Sequence, residues 1–273
     1  MTDEVVSYER RGHLGVITLE RPEALNAVTA AVIAGVRRLA LAAERDPEIV
    51  AICITGRGRG FCAGADMSLL TDSISNKPGS VAQPQATPPT GLDAALFGFL
   101  LTLSKPVIAA VNGVAAGGGF VLALMCDLRF VAEDAYFTTV FSRRGLISEH
   151  LSSWLLPRMI GLNRALDLLW SSRKVDAAEA YRLGLADYVV PADGLLGAVE
   201  AYVDNLAATV APRALAVIKG LVHRHLDTDI GPAAEDCRDR MVEALRHPDA
   251  AEGVHSYLER RTPKFSAWTG HDA

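Results

Sequence analysis

Asn112-Gly113-Val114-Ala115-Ala116-Gly117-Gly118-Gly119-Phe120 and, earlier in the chain, Phe61-Cys62-Ala63-Gly64-Ala65-Asp66-Met67 are the stretches whose reading decides the fold. Each stands where a buried strand gives way to a helix. The first N–H groups of a helix have no intrahelical partner and sit at the positive end of its dipole. Two such turns aimed at one point can therefore hold an oxygen that gains negative charge during a reaction. Phosphate binding is the rival use, but neither turn has the G-x-x-x-x-G-K-[ST] or G-x-G-x-x-G spacing. The plainest alternative is that these glycines only let helix and strand pack closely.

Working outward, Val107 to Val111 reads as a buried strand and Gly119 to Met125 as a buried helix. The uncharged run from Val107 to Cys126 would also suit a membrane helix, with Gly113 and Gly117 at dimer-motif spacing. Asn112 and the triple glycine are costly inside a helix and favour the strand, loop and helix instead. Upstream, Val5 to Glu9 and Leu14 to Leu19 are strands joined by Arg11-Gly12-His13. Thr29 caps a helix to Arg45 that places Val32, Ile33, Val36, Leu39 and Ala40 on one face, and Val50 to Thr55 is a buried strand. Thr71 to Gly91, rich in Pro, Ser, Thr and Gln, is a long loop, either a lid or a plain insertion.

A helix is predicted over Leu92 to Leu103. Strands follow at Leu128 to Val131 and Ala135 to Thr138, then helices at Ser148 to Ile160, Arg164 to Trp170 and Ala177 to Leu183, and a strand at Tyr188 to Val190. The remainder reads as helices over Val199 to Ala208, Pro212 to His225, Pro232 to Arg246 and Pro248 to Arg260. This is an α/β chain with a recurring ββα grammar, expected to divide into a core of residues 1–205 and a helical region of residues 206–273.

Composition narrows the function classes. Of 273 residues, 50% are hydrophobic and 22% charged, which excludes a disordered chain. A net charge of −5 argues against nucleic acid as a partner, since phosphate affinity needs clustered Lys and Arg. Cys53, Cys62, Cys126 and Cys237 form no C-x-x-C pair, which points to a reducing compartment rather than a zinc ribbon or a redox motif. The acidic start Met1-Thr2-Asp3-Glu4 is unlike a secretory signal. The expectation is a cytoplasmic protein without a membrane span. No histidine spacing suggests a metal site, and none is expected.

The two turns belong to a longer series of motifs: Arg21-Pro22-Glu23-Ala24-Leu25-Asn26-Ala27, Gly60-Phe61-Cys62-Ala63-Gly64-Ala65-Asp66, Lys105-Pro106-Val107-Ile108-Ala109-Ala110-Val111-Asn112-Gly113, Cys126-Asp127-Leu128-Arg129, and Ala178-Glu179-Ala180-Tyr181-Arg182-Leu183-Gly184-Leu185-Ala186. In this order they resemble the crotonase, or enoyl-CoA hydratase/isomerase, superfamily over nearly the whole chain. The resemblance implies a spiral of ββα units with a C-terminal helical trimerisation region, and a homotrimer or hexamer. It implies an acyl-CoA thioester as substrate, with no cofactor. The N–H groups of Ala65 and Gly118 would form the oxyanion hole. Ala24, Ala63, Asp66, Met67 and Gly117 would line the CoA and acyl channel, and Lys264 and Phe265 would approach the nucleotide end. Asp66 also reads simply as a helix cap.

The family's pattern breaks at its acid/base groups. Hydratases of the family use two glutamates, and the matching positions here are Val121 and Phe141, neither of which can move a proton. Both would instead make the acyl pocket more apolar. Glu149, in Gly145-Leu146-Ile147-Ser148-Glu149-His150, resembles the catalytic aspartate of family dienoyl-CoA isomerases and aroyl-CoA dehalogenases. It is the candidate acid/base, expected at the start of a helix that Ser148 would cap. His150, about 100° further round that helix, would orient Glu149, act in its place, or be structural. The leading reading is a hydratase-like lyase using Glu149. Isomerisation, C–C hydrolysis and acyl-CoA binding without chemistry are the alternatives.

Overall fold

A computed structural model describes residues 5–66 and 91–270. Met67 lies outside them, as does the predicted lid of residues 71–91 except Gly91. Strands β1 (Val6–Arg11) and β2 (Leu14–Leu19) form an antiparallel hairpin, with Arg11 opposite Leu14 and Gly12 at φ 57° in the connection. Helix α1 (Ala30–Arg45) begins where the Thr29 hydroxyl accepts a hydrogen bond from Val32 N at 3.2 Å. Its apolar face, including Val32, Val36 and Leu39, is buried. A Cβ on Gly35 would come within 2.4 Å of Val6, so glycine sets how closely α1 lies on β1.

From here the chain alternates between two sheets. β3 (Ala51–Gly56), β5 (Val107–Val111) and β7 (Leu128–Ala132) join β1, β2 and β10 (Tyr188–Val190) in a six-stranded sheet, ordered β1-β2-β3-β5-β7-β10 and parallel after the first hairpin. β3 and β5 are buried throughout, as their continuous apolar composition demands of strands covered on both faces. The short strands β4 (Gly60–Cys62), β6 (Val114–Ala116), β8 (Tyr136–Thr138) and β9 (Val175–Asp176) form the second sheet in that order. Each pair, β3 with β4, β5 with β6 and β7 with β8, is thus one turn of a spiral contributing a strand to each sheet. Helix α2 (Gly118–Leu124) follows the second turn, and the third leads to α3 (Ser152–Ile160) and α4 (Leu162–Ser171).

Helix α5 (Ala177–Leu183) is capped by Asp176, whose carboxylate accepts from Glu179 N at 2.7 Å. Helix α6 (Leu195–Thr209) buries Val199 and Val203. Helices α7 (Pro212–His225), α8 (Ile230–Arg246) and α9 (Pro248–Leu258) complete the C-terminal region. These helices leave Ile218, Ile230, Met241, Leu245 and Tyr257 exposed. Among the described residues no single helix is long and apolar enough to cross a membrane, and the uncharged run Val107–Cys126 is folded as β5, β6 and α2.

Two predicted helices are corrected. The segment Leu92 to Leu103 holds only short 3-10 turns at Gly91–Ala94 and Gly98–Thr102, because Phe97 is left-handed at φ 59° and a Cβ on Gly98 would fall 2.1 Å from Leu92 O. The helix expected from Ser148 starts at Ser152, since His150 and Leu151 are left-handed at φ 49° and 65°. Ser148 therefore does not cap it. Its hydroxyl meets that of Ser152 at 2.8 Å, and Ser152 N donates to Glu149 O at 3.0 Å. The loop expected between β5 and α2 contains β6, whose three residues are too few for a periodic signal.

Candidate functional site

Strands β4, β6 and β8 run parallel and adjacent, with Gly60 opposite Val114 and Ala115 opposite Phe137. The turns leaving their C-terminal ends must emerge on one edge, where ligands gather in parallel α/β sheets. The turn after β4 carries Ala63 to Asp66, the turn after β6 carries Gly117 and Gly118, and the chain after β8 carries Thr139 to Leu151.

Glycine lets the first two turns meet. A Cβ on Gly119 would lie 2.0 Å from Cys62 O, and one on Gly64 would lie 2.7 Å from Ala116 O and 3.1 Å from Gly118 N. Gly64 is at φ 93° and Gly117 at φ 51°, ψ −116°, a region essentially closed to side chains. The neighbouring N–H groups are spent: Ala63 donates to Leu25 O at 2.9 Å, Asp66 to Val28 O at 3.2 Å, and Gly117 to Thr138 O at 3.1 Å. Among the described residues, the N–H groups of Ala65 and Gly118 have no such acceptor. Burial pushes the Cys62 thiol up to about 12, so this turn offers main-chain donors and no thiolate nucleophile at neutral pH.

The segment with Ala24 is bound to the Ala63 turn. Val28 N donates to Gly64 O at 2.7 Å. Leu25 and Asn26 are left-handed at φ 49° and 58°, and the buried Asn26 side chain holds them there. Its Nδ2 donates to Arg57 O at 3.0 Å and Gly60 O at 2.8 Å, and its Oδ1 accepts from Arg21 N at 2.9 Å. Asp66 pairs with Arg21 at 3.0 Å, which clamps the two segments together. The helix it was expected to cap lies outside the described residues.

Ala65, Gly117 and Gly118 open onto a cavity of about 50 Å³, also lined by Leu96, Val140, Phe141, Arg144, Leu146, Glu149 and His150. Glu149 is the one carboxylate lining it among the described residues. Its Oε2 lies 3.2 Å from His150 Nε2, and His150 Nδ1 lies 3.1 Å from Leu96 N. The loop is tied down by a hydroxyl cluster: Thr139 and Ser142 each meet the buried Ser172 hydroxyl, at 2.9 and 2.8 Å.

The sequence-derived residues thus separate. Ala65, Gly117, Gly118, Phe141 and Glu149 converge on the cavity, with Ala63 and Asp66 in the same turn and Ala24 in the segment bound to it. Val121 does not line it, being fully buried in α2 among the core. Exposed Lys264 has its N–H on Glu252 at 2.6 Å, and Phe265 packs by Gly253 in a separate groove of about 500 Å³ between the C-terminal helices. Arg144, Leu96 and Leu146 were not singled out from sequence. Nothing in their local pattern marks them, because only the third spiral turn and the 3-10 segment bring them in.

Comparison with known proteins gives a consistent result. A family model described as enoyl-CoA hydratase/isomerase matches residues 9–268. A probable enoyl-CoA hydratase of Mycobacterium tuberculosis is 36% identical over 266 residues, covering 97% of this chain and 99% of the relative. A 1,2-epoxyphenylacetyl-CoA isomerase of Escherichia coli is 34% identical over 271 residues, with 97% and 99% covered. Among solved structures, an enoyl-CoA hydratase from Polaromonas superposes with a TM-score of 0.86 at 33% identity, covering 95% of this chain and 99% of that one.

Proposed function

Because the chain belongs to the enoyl-CoA hydratase/isomerase family, we propose that it holds the thioester carbonyl of an acyl-CoA between the N–H groups of Ala65 and Gly118. Glu149 moves the proton on the adjacent carbon. Removing that proton sends its electron pair toward the carbonyl oxygen, and the enolate oxygen accepts two main-chain hydrogen bonds from donors already in place. Loss of one such donor typically lowers kcat about 10² to 10³-fold.

The observation that carries this reading is the lone carboxylate of the described cavity lining. Phe141 occupies one family glutamate position, and Val121, at the other, is sealed in the core. A single carboxylate suffices to take a proton from one carbon and return it to another, so double-bond migration is the reaction favoured. Hydration, with Glu149 handling both protons, is the second reading, favoured because the Mycobacterium tuberculosis and Polaromonas proteins are described as hydratases. Ala24, Ala63 and Asp66 contribute the channel wall, and Lys264 and Phe265 serve the nucleotide end. The exposed apolar residues of α7, α8 and α9 fit burial in a homotrimer or hexamer.

The test is to offer short, branched and aryl enoyl- and dienoyl-CoA esters, and to follow α-hydrogen exchange of phenylacetyl-CoA in D2O by mass. Glu149→Gln is expected to lower both turnover and exchange by about 10² to 10⁴-fold while the esters still bind. Unimpaired exchange in that variant removes Glu149 from the mechanism. Binding with neither turnover nor exchange in the wild type favours a non-catalytic acyl-CoA-binding protein.

A further inference from the structure

We propose that His150 is a positioning residue: a neutral imidazole, protonated on Nε2, that holds the Glu149 carboxylate toward the oxyanion turns and is itself locked by the main chain of Leu96. The inference rests on the reading of Glu149 as the acid/base.

A donor that cannot become an acceptor fixes the ring. Leu96 N lies 3.1 Å from His150 Nδ1, and a main-chain N–H only donates. Nδ1 must therefore keep its lone pair, which leaves the ring's proton on Nε2. Nε2 is the nitrogen 3.2 Å from Glu149 Oε2, so the contact is an N–H donated to a carboxylate. An imidazolium would set two hydrogens against each other at Leu96. The arrangement thus keeps the histidine neutral and one carboxylate oxygen engaged, with the second oxygen available for a substrate proton.

The backbone supports this purpose. His150 and Leu151 are consecutive non-glycine residues in left-handed conformation. In the helix expected from sequence, neighbouring side chains diverge by about 100°. Here the break turns Glu149 and His150 onto the same cavity, where strain of this kind collects at functional sites. Leu96 joins the parts, because its Cδ2 lies 3.2 Å from where a Cβ on Gly118 would stand. Among the described residues, the charged groups lining the cavity with His150 are Glu149 and Arg144. On the 3-10 segment preceding Leu96, Asp93 is engaged by Arg37 at 2.7 Å.

The experiment has two arms on the full-length protein. In ¹⁵N spectra at pH 7, with His150 assigned by its loss in His150→Gln, Nε2 is expected to be protonated and Nδ1 not. An Nδ1–H tautomer or an imidazolium overturns the proposal, whatever the substrate. In α-hydrogen exchange of phenylacetyl-CoA, His150→Ala is expected to lower kcat about 10 to 100-fold with KM within about twofold, as misplacement of a catalytic group by about 1 Å does. His150→Gln, whose amide N–H reaches the same place, is expected to recover most of that loss. In a Glu149→Gln background, His150→Ala is expected to change nothing further. An equal loss there, or no loss in the single variant, refutes the positioning role while leaving Glu149 in place. If Glu149→Gln alone is silent, the underlying reading fails instead.

Discussion

Substituting alanine for Gly119 tests whether the two turns act by lying against each other. The added Cβ would stand 2.0 Å from Cys62 O and 2.6 Å from Cys62 C, both main-chain atoms of a buried strand. Carbon and oxygen approach comfortably at about 3.3 Å, so the turns must separate by about 1.3 Å (3.3 − 2.0) or the helix must shift by as much. Forced enlargement of a packed site costs about 1–3 kcal/mol of stability. Displacing a catalytic donor by about 1 Å costs about 10²-fold in rate. Gly119→Ala should therefore lower α-hydrogen exchange of phenylacetyl-CoA about 100-fold and lower the urea midpoint. The matched control is Gly197→Ala at an exposed position of α6, where nothing lies within 4 Å of the new Cβ and the change should raise stability by up to about 1 kcal/mol. If folded Gly119→Ala exchanges within about threefold of wild type, the close approach of the turns is not what makes the site.

Stability should peak at about pH 8.5. Burial depresses Lys105 to about 8 from 10.5, so the unfolded chain binds that proton more tightly and stability rises with pH from about 8. Burial raises Cys53 and Cys62 to about 12 from 9.0, and Cys126 in the same direction, so above pH 9 the fold keeps three protons that the unfolded chain loses. Up to about pH 10.5 the balance of two protons (3 − 1) lowers stability by about 3 kcal/mol per pH unit, and urea melts that strengthen steadily to pH 10 contradict it. Asp127 accepts from Val107 N and Lys219, both at 2.7 Å, and contacts His223 at 3.3 Å. Although burial opposes its charge, the bonds with His223 and Lys219 hold its carboxyl below the usual range. Its stabilisation is present above about pH 3.8 and is lost as pH falls through the lowered folded value. Asp127→Asn should cost about 3–5 kcal/mol at pH 7, with the gap from wild type closing in acid. Asn26→Ala strands Arg57 O and Arg21 N and leaves Gly60 O only the longer bond from Asn112 Nδ2 at 3.4 Å, and should cost at least about 2 kcal/mol in chemical melts while raising KM for acyl-CoA esters.

The elements that sequence reading recovered are those long enough to show a period or a continuous apolar run: α1, β3, β5 and the helices from Pro212 onward. β8 and β10, three residues each, were recovered because Tyr136-Phe137-Thr138 and Tyr188-Val189-Val190 are aromatic and β-branched, whereas Gly60-Phe61-Cys62, Val114-Ala115-Ala116 and the two residues of β9 carry too little of that signal; yet β4 and β6 bring the two glycine turns to one edge. The resemblance supplied the spiral that composition and period did not. The helix expected from Ser148 failed for a different reason. Ser148, Glu149 and the apolar residues after them form a sound capping pattern, and a tertiary contact, Leu96 N on His150, together with the local turn bond of Ser152 N to Glu149 O, holds the left-handed break that overrides it.

That override bears on how the site is divided between main chain and side chain. The Ala65 and Gly118 donors are main-chain groups, so no side-chain change deletes them, and Gly64, Gly117 and Gly119 hold their geometry by excluding Cβ atoms. Variation in chemistry must then come from the chain after β8, whose side chains face those donors across the cavity. Phe141 there excludes a proton-transfer group at one position, while the break at His150 and Leu151 brings Glu149, the proposed acid/base, from another. Phe141→Glu returns a carboxylate to that loop without touching the donors. If the division holds, Phe141→Glu combined with Glu149→Gln should recover exchange that Glu149→Gln alone has lost, read by the same D2O assay. Failure to recover, in a variant whose melting matches Glu149→Gln, would mean that the cavity's shape and not the place of its carboxylate governs the chemistry.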